Sequence, residues 1–225
     1  GLLPGLRMSH AGLPADAISW THNAPDGVPD AVGGCRFSSN VQETGLVGPI
    51  AYGSRLVPGF GRAFKQEMRD VFGSAISVGA IGAVIPDERS FVDLHPHRLD
   101  GHGLPLPRIH SVLTENSLQL LNFMAQRARA LLAEAGVEAP LEEAGSWDQF
   151  SATHVFGTCR MGTNADSSVT DRWGRSHDNS NLYIADASVF PSSGGGESPS
   201  LTIHALALRT ADRIVAMAPS RTGGP

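Results

Sequence analysis

The sequence predicts a mixed fold, α+β passing into α/β, and three observations carry that expectation. Strand candidates at 75–85, 90–96 and 106–113 run ahead of a long helical pattern at 116–136. That order suits an antiparallel sheet with helices on one face. Further on, an apolar stretch LYIADASVFP (182–191) leads through a glycine-rich SSGGGESPS (192–200) into a helical LTIHALALRTADRI (201–214). Buried strand, glycine turn and helix in succession are the parts of an α/β layer. Finally, 26 glycines and 15 prolines in 225 residues announce many turns and irregular connections.

Taken in order, residues 1–60 are rich in Gly and Pro and lack periodicity. So long an irregular start is unusual for a self-contained domain and reads as the continuation of something upstream; the first residue, Gly1, points the same way, to processing or a fragment. GRAFKQEMRDVF (61–72) spaces Phe64, Met68, Val71 and Phe72 for one face of an amphipathic helix. AISVGAIGAVI (75–85), SFVDLHP (90–96) and LPRIHSVL (106–113 region) are strand candidates, the last two separated by the Gly- and Pro-fixed turn DGHGLPLP. Residues 116–136 form the clearest helix, with Leu120, Leu121, Met124, Ala128, Leu131 and Leu132 on one side and Gly136 as its stop. Composition shifts around 145–150, so the domains are expected at 1–150 and 151–217, with a tail at 218–225.

Composition excludes several function classes. A net charge of −5 offers no electrostatic case for nucleic acid or an anionic membrane. No apolar run approaches the roughly 20 residues of a membrane span. Cys35 and Cys159 make neither a disulfide framework nor a metal-ligand set. They leave the compartment open, leaning toward a reducing cytosol. His95, His97, His102 and His110 fall close together but lack Cys or carboxylate partners at a ligand spacing, so they read as loop or surface histidines and no metal is expected.

The chemistry-bearing residues cluster between 154 and 214. His154 opens HVFGTCRMG and is expected to project from an extended segment. By its segment alone it reads more readily as a hydrogen-bonded structural histidine than as a general base, although histidine is the commonest such base. Asp186 ends the apolar run Leu182–Ala185. A carboxylate at a strand's carboxyl end can accept from a ribose or ribityl hydroxyl, or simply cap a turn. Ser198 followed by Pro199 reads as an N-cap and first helical residue. The helix beyond is expected to bury Leu201, Ala205, Leu208, Ala211 and Val215, and its first N–H groups form a site for negative charge. His204 is expected as a packed or surface residue.

Together, HVFGTCRMG, SHDNSNLYIADASVFP and GGGESPSLTIHALALRTADRI resemble the C-terminal part of the glucose–methanol–choline (GMC) family of flavin oxidoreductases. Upstream, PDERSFVDLHPHRLDGHGLPLPRIH (86–110) is similar to the start of that family's C-terminal region. The resemblance covers 60–217 well and the first 60 residues poorly. It implies an antiparallel substrate-domain sheet with helices on one face, plus a strand–turn–helix segment completing a Rossmann-like FAD domain. It also implies FAD as cofactor and a sugar, glycoside or other polyol as the alcohol substrate. His154 matches the family's active-site histidine, which takes the substrate hydroxyl proton, and this overrides the local reading. Asp186 and Ala187 match the strand end that contacts the cofactor; Pro199, Ser200 and Leu201 match the helix start by the flavin pyrimidine edge. Ser198 stands where the family has a second His or Asn that hydrogen-bonds the substrate oxygen, so either it would work through a water, or another group would move in, or activity would be altered.

No G-x-G-x-x-G precedes a helix here; the GGG at 194–196 follows the wrong element. The family's FAD-pyrophosphate motif is thus missing, which implies an obligate partner polypeptide carrying that half. Two other readings stand beside an alcohol oxidoreductase: a hydroxynitrile-lyase-like relative, and a catalytically silent partner subunit.

Overall fold

The computed structural model describes residues 1–3, 6, 17–39, 48–137, 142–145, 154–194, 196 and 198–218. It is a mixture of helix and antiparallel sheet and separates into two compact units, one of 1–83 with 115–150 and one of 84–114 with 151–225. No helix among the described residues is long and apolar enough to cross a membrane.

The first unit is built on a three-stranded antiparallel sheet, β1 (Ile18–Ser19), β2 (Cys35–Ser39) and β3 (Val78–Gly82), with β2 in the middle. Alternation along β2 turns Cys35 and Phe37 inward, both buried, while Arg36 and Ser38 are less so. Helix α3 (Glu115–Glu134) crosses that face and adds Leu120 and Met124 to the same core, joined by Val28. Full burial of one such leucine is worth about 1.5–3 kcal/mol. Met124 reaches the sheet because Gly82 has no side chain: a Cβ there would lie 3.2 Å from the methionine Cε. Asn116 locks the helix start by accepting from the Val32 N–H (2.7 Å) and donating to its carbonyl (3.0 Å). Gly136, at φ +92°, ends the helix as expected.

A second core in this unit lies under α1 (Pro49–Ala51), which runs into a π-helical turn (Tyr52–Leu56), and α2 (Gly61–Val71). Phe64, Met68, Val71 and Phe72 pack on Tyr52, Leu56, Val57 and Ala75, the face that the spacing predicts. The buried Tyr52 hydroxyl accepts from the Ala75 N–H at 2.8 Å.

The second unit holds the hairpin of β4 (Phe91–Leu99) and β5 (Pro105–His110). Asp100 shapes its turn by accepting from the N–H groups of His102 and Leu104, and Gly103 supplies the left-handed residue. The register slips between Leu94 and Leu99, where Pro96 removes a ladder donor. Residues 154–194 follow as loops joined by single bridges, and α4 (Ser200–Met217) closes the unit.

Five expectations are corrected. The irregular first 60 residues contain the sheet's central strand, β2, too short and too hemmed in by Gly and Pro to show a period. The strands expected at 75–113 do not share a sheet: β3 pairs with β2, and β4 and β5 pair only with each other. Leu182–Ala185 is no buried strand; it makes a single bridge, Arg175 to Tyr183, and Leu182 is 48 % exposed. The row Leu201, Ala205, Leu208, Ala211 and Val215 faces water, while Ile203, Leu206, Ala207 and Thr210 form the covered side of α4. Leu131, expected on the covered side of α3, is exposed near the helix end.

Candidate active site

The stretch that begins at His154 is held against the stretch that ends at Phe190 by two backbone bonds. Cys159 N–H donates to Ser188 O (2.9 Å) and Met161 N–H to Val189 O (2.8 Å). Phe156 stacks on Phe190 with centroids 5.5 Å apart and planes 24° from parallel. Gly157 turns the chain beside Phe190 at φ +86°, a left-handed conformation that favours glycine. Buried Thr170 ties the other side of the loop by donating from Oγ1 to Cys159 O. Two motifs separated by some thirty residues of chain are therefore neighbours, as a shared site requires.

His154 does not project from extended backbone. It sits in the left-handed region at φ 58°, uncommon outside glycine, where such strain often marks a functional position. Its side chain is exposed and bonds to none of the described residues, so the structural-histidine role suggested by its segment alone has no partner here.

Asp186 caps rather than ends a strand. It precedes a 3₁₀ turn (Ala187–Val189), and its Oδ1 accepts from the Ser188 N–H at 2.8 Å and from the Ser188 hydroxyl. Both bonds fall on one oxygen, which leaves Oδ2 of this exposed carboxylate for another donor. Ala187 is half-buried beneath it.

At the start of α4 the expected cap is absent. The helix begins at Ser200, Pro199 occupies the cap position at φ −76°, and no side chain caps it. The Ser198 hydroxyl lies 3.0 Å from the Ser200 hydroxyl instead. Pro199 O accepts the first helical bond, from Ile203 N–H, and the earlier N–H groups have no helical acceptor. Leu201 is exposed beside them. Ser193 accepts from the Val84 N–H through its hydroxyl (2.8 Å), which ties this end of the 154–194 loops to residue 84. Among the described residues no hydrogen bond joins His154 or Asp186 to this helix start.

This donor set suits an electron-rich ring system bearing hydroxyls. Open N–H groups at a helix start favour negative charge, an uncommitted carboxylate oxygen accepts from hydroxyls, and Gly194 leaves open space where a Cβ would stand. The loop histidines are otherwise engaged or solvated: His95 Nδ1 accepts from the N–H groups of His97 and Arg98, and His110 pairs with Asp93. Among the described residues no cluster of three His, Cys, Asp or Glu could hold a metal.

Sequence reading passed over Trp173 and the arginines around it. Arg172, Arg209 and Arg213 all approach one indole ring, and only the i, i+4 spacing of the last two hinted at it.

Comparison with known proteins places this architecture. The family model described as GMC oxidoreductase matches residues 86–207, more than half the chain. The chain is 33% identical to 2-methyl-1,2-propanediol dehydrogenase of Mycolicibacterium austroafricanum over 80% of its own length and 31% of that protein's. It is 39% identical to 6'''-hydroxyparomomycin C oxidase of Streptomyces lividus, over 57% of this chain and 23% of the relative. Gluconate 2-dehydrogenase flavoprotein of Pantoea cypripedii aligns with 94% of the chain at 26% identity, and 35% of that relative is covered. The chain spans about a third or less of the length of these relatives. It belongs to the GMC oxidoreductase family, and the match takes in both the His154 motif and the start of α4.

Proposed function

We propose that this chain is the C-terminal portion of an FAD-dependent oxidoreductase that oxidises an alcohol carbon of a sugar, glycoside or polyol. The backbone pairing of 159–161 with 188–189 supports the reading, because it brings the segment bearing His154 to the Asp186 turn. FAD, when bound, would supply the electron chemistry of the oxidation.

The chain's own residues do the rest. His154 takes the hydroxyl proton as the carbinol C–H bond breaks, its side chain being exposed and bonded to none of the described residues. Asp186, through Oδ2, and Ala187 would hold the cofactor, the carboxylate oxygen accepting from a ribityl hydroxyl. Pro199, Ser200 and Leu201 would hold the cofactor's ring at the start of α4, whose open N–H groups favour negative charge. Ser198 reaches the substrate oxygen through a water, its hydroxyl being too short for the direct contact a His or Asn makes. In this scheme residues 1–150 carry the substrate-facing part and 151–217 rejoin a Rossmann-like FAD domain. Further polypeptide with a G-x-G-x-x-G motif would hold the FAD pyrophosphate, since no such motif occurs in these residues.

Two measurements test the proposal. The assembled flavoprotein is titrated anaerobically with sugars and polyols, and loss of the visible flavin band identifies the substrate class. His154→Ala is then expected to lower kcat by about 10²–10⁴-fold at unchanged flavin content. Unchanged turnover in that variant defeats the assignment of the base. Ser198 favours one second reading, a catalytically silent subunit, because its hydroxyl is already engaged with Ser200; flavin that no alcohol bleaches is the result it requires.

A further inference from the structure

A groove of about 500 Å³ opens in the first unit between helix α3 and the loop at 28–33. From the helix it is lined by Gln119, Asn122, Phe123, Gln126 and Arg127, whose spacing of three and four makes one stripe beside the buried row of Leu120 and Met124. From Gln119 to Arg127 the stripe runs about 12 Å at a rise of 1.5 Å per residue. Pro29 and Asp30 form the opposite wall.

Both walls are fixed before anything enters. Val28 is buried in the core at the start of the loop, and Asn116 holds Val32 through its two hydrogen bonds, so the loop is fastened to the helix it faces. Gly33 N–H donates back to Pro25 O at 2.8 Å and closes it. Between these anchors Asp30 takes a left-handed φ of 61°, which aspartate tolerates better than most residues. On the helix, Phe123 meets the His22 ring edge-on with centroids 4.9 Å apart, and the Arg127 guanidinium carbon stands 5.4 Å from the Phe123 centroid. The polar groups are nonetheless uncommitted. The side chains of Asp30, Gln119, Asn122, Gln126 and Arg127 make no hydrogen bond or ion pair among the described residues.

We propose that this groove binds the ring of a neutral saccharide, at a site that shares no residue with those assigned to the oxidation. A sugar hydroxyl both donates and accepts, and the groove offers an acceptor-only carboxylate, a donor-only guanidinium and three amides that do both. Pro29 and the Phe123 ring supply apolar surface for the C–H groups of the sugar. The opposite charges of Asp30 and Arg127 disfavour simpler ligands, since an anion meets the carboxylate and a cation the guanidinium. The volume falls within the range of small-molecule sites, about 300–1,000 Å³, and accommodates one or two rings. Those rings belong to a free sugar or to the end of a longer glycan. The site goes beyond the proposed flavin chemistry and does not depend on it.

The test titrates glucose and maltotetraose calorimetrically into the assembled protein, anaerobically and with any bound flavin already reduced so that no turnover adds heat. Asp30→Asn removes the charge and keeps the left-handed backbone, Gln126→Trp fills the groove from an exposed helix position, and Arg69→Ala on α2 is the control. Asp30→Asn is expected to weaken one equivalent of binding by about tenfold or more, and Gln126→Trp to abolish it. Arg69→Ala leaves it within about twofold. Flavin reduction by the alcohol substrate is unchanged in all three. Hydrogen exchange of 28–33, read by mass spectrometry, gives a readout without substitution: sugar slows it. Tighter binding of maltotetraose than of glucose assigns the groove to a glycan, and equal binding assigns it to a free sugar; either supports the site. Failure of both sugars to bind, or binding that neither substitution weakens and that leaves exchange of 28–33 unchanged, overturns it while the flavin assignment stands. Tighter binding of gluconate than of glucose makes the groove an anion site and overturns the saccharide.

Discussion

Gly174 is where three pieces of the second unit meet, and replacing it separates backbone strain from crowding. The residue has φ +75°, and a Cβ on it would stand 2.5 Å from Ile184 O and 3.4 Å from Thr210 Oγ1. Its carbonyl accepts from Ile184 N–H at 2.8 Å, so the crowding atom cannot retreat without breaking a bond. Left-handed backbone costs an L-residue about 1–2 kcal/mol, and forcing an atom into a packed site adds about 1–3 kcal/mol. Gly174→Ala should therefore lose about 3 kcal/mol, a fall in Tm of about 6–12 °C for a chain of this size. The hairpin turn contains two controls. Gly103 has φ +79° with nothing within 4 Å, so Gly103→Ala carries the conformational cost alone, about 1–2 kcal/mol. Gly101 has neither a left-handed φ nor a neighbour, so Gly101→Ala is neutral or stabilising by up to about 1 kcal/mol. Thermal melts followed by circular dichroism order the three variants. Equal losses at 174 and 103 would show that the approach of Ile184 is not tight, and would refute the packing argument for this junction.

Two further outcomes follow from single interactions. Tyr52→Phe keeps the ring in its core but leaves the buried Ala75 N–H without an acceptor, and denaturant titration should show a loss of about 1–3 kcal/mol. Asp93 is hydrogen-bonded first by Arg108 and then by His110, which lowers its carboxyl pKa to about 2. A depressed carboxylate contributes stability that is complete above its unfolded value, about 3.9, and lost as pH falls through the folded one. Amide protection in β4 and β5, corrected for intrinsic exchange, should therefore fall between about pH 4 and pH 2, and Asp93→Asn should remove that step; an unchanged acid profile in the variant excludes the ion pair as its source.

Much of the architecture could be read along the chain because its causes are local. The spacing of Phe64, Met68, Val71 and Phe72 made α2 visible, and that of Leu120 and Met124 did the same for α3. The Gly and Pro residues of DGHGLPLP marked the hairpin turn, since a left-handed residue such as Gly103 acts locally, and the structure adds the Asp100 cap within four positions. His154, Asp186 and the start of α4 were legible as motifs for the same reason: each is a short run of particular residue types.

What tertiary structure decided involves partners distant in sequence. The central place of β2 depends on register with β3 some forty residues away, which no periodicity in a five-residue strand can announce. An apolar run such as Leu182–Ala185 indicates affinity for a neighbour, yet the neighbour present is the 174–176 turn rather than a sheet. Likewise the pattern of α4 pointed to the row of Leu201, Leu208 and Val215, and only the packing of Ile203, Leu206 and Thr210 showed that this unit buries the other side. Hydrophobic spacing records that a surface must leave water. Which surface covers it is settled by long-range contacts, whose loop-closure cost and geometry are properties of the folded chain.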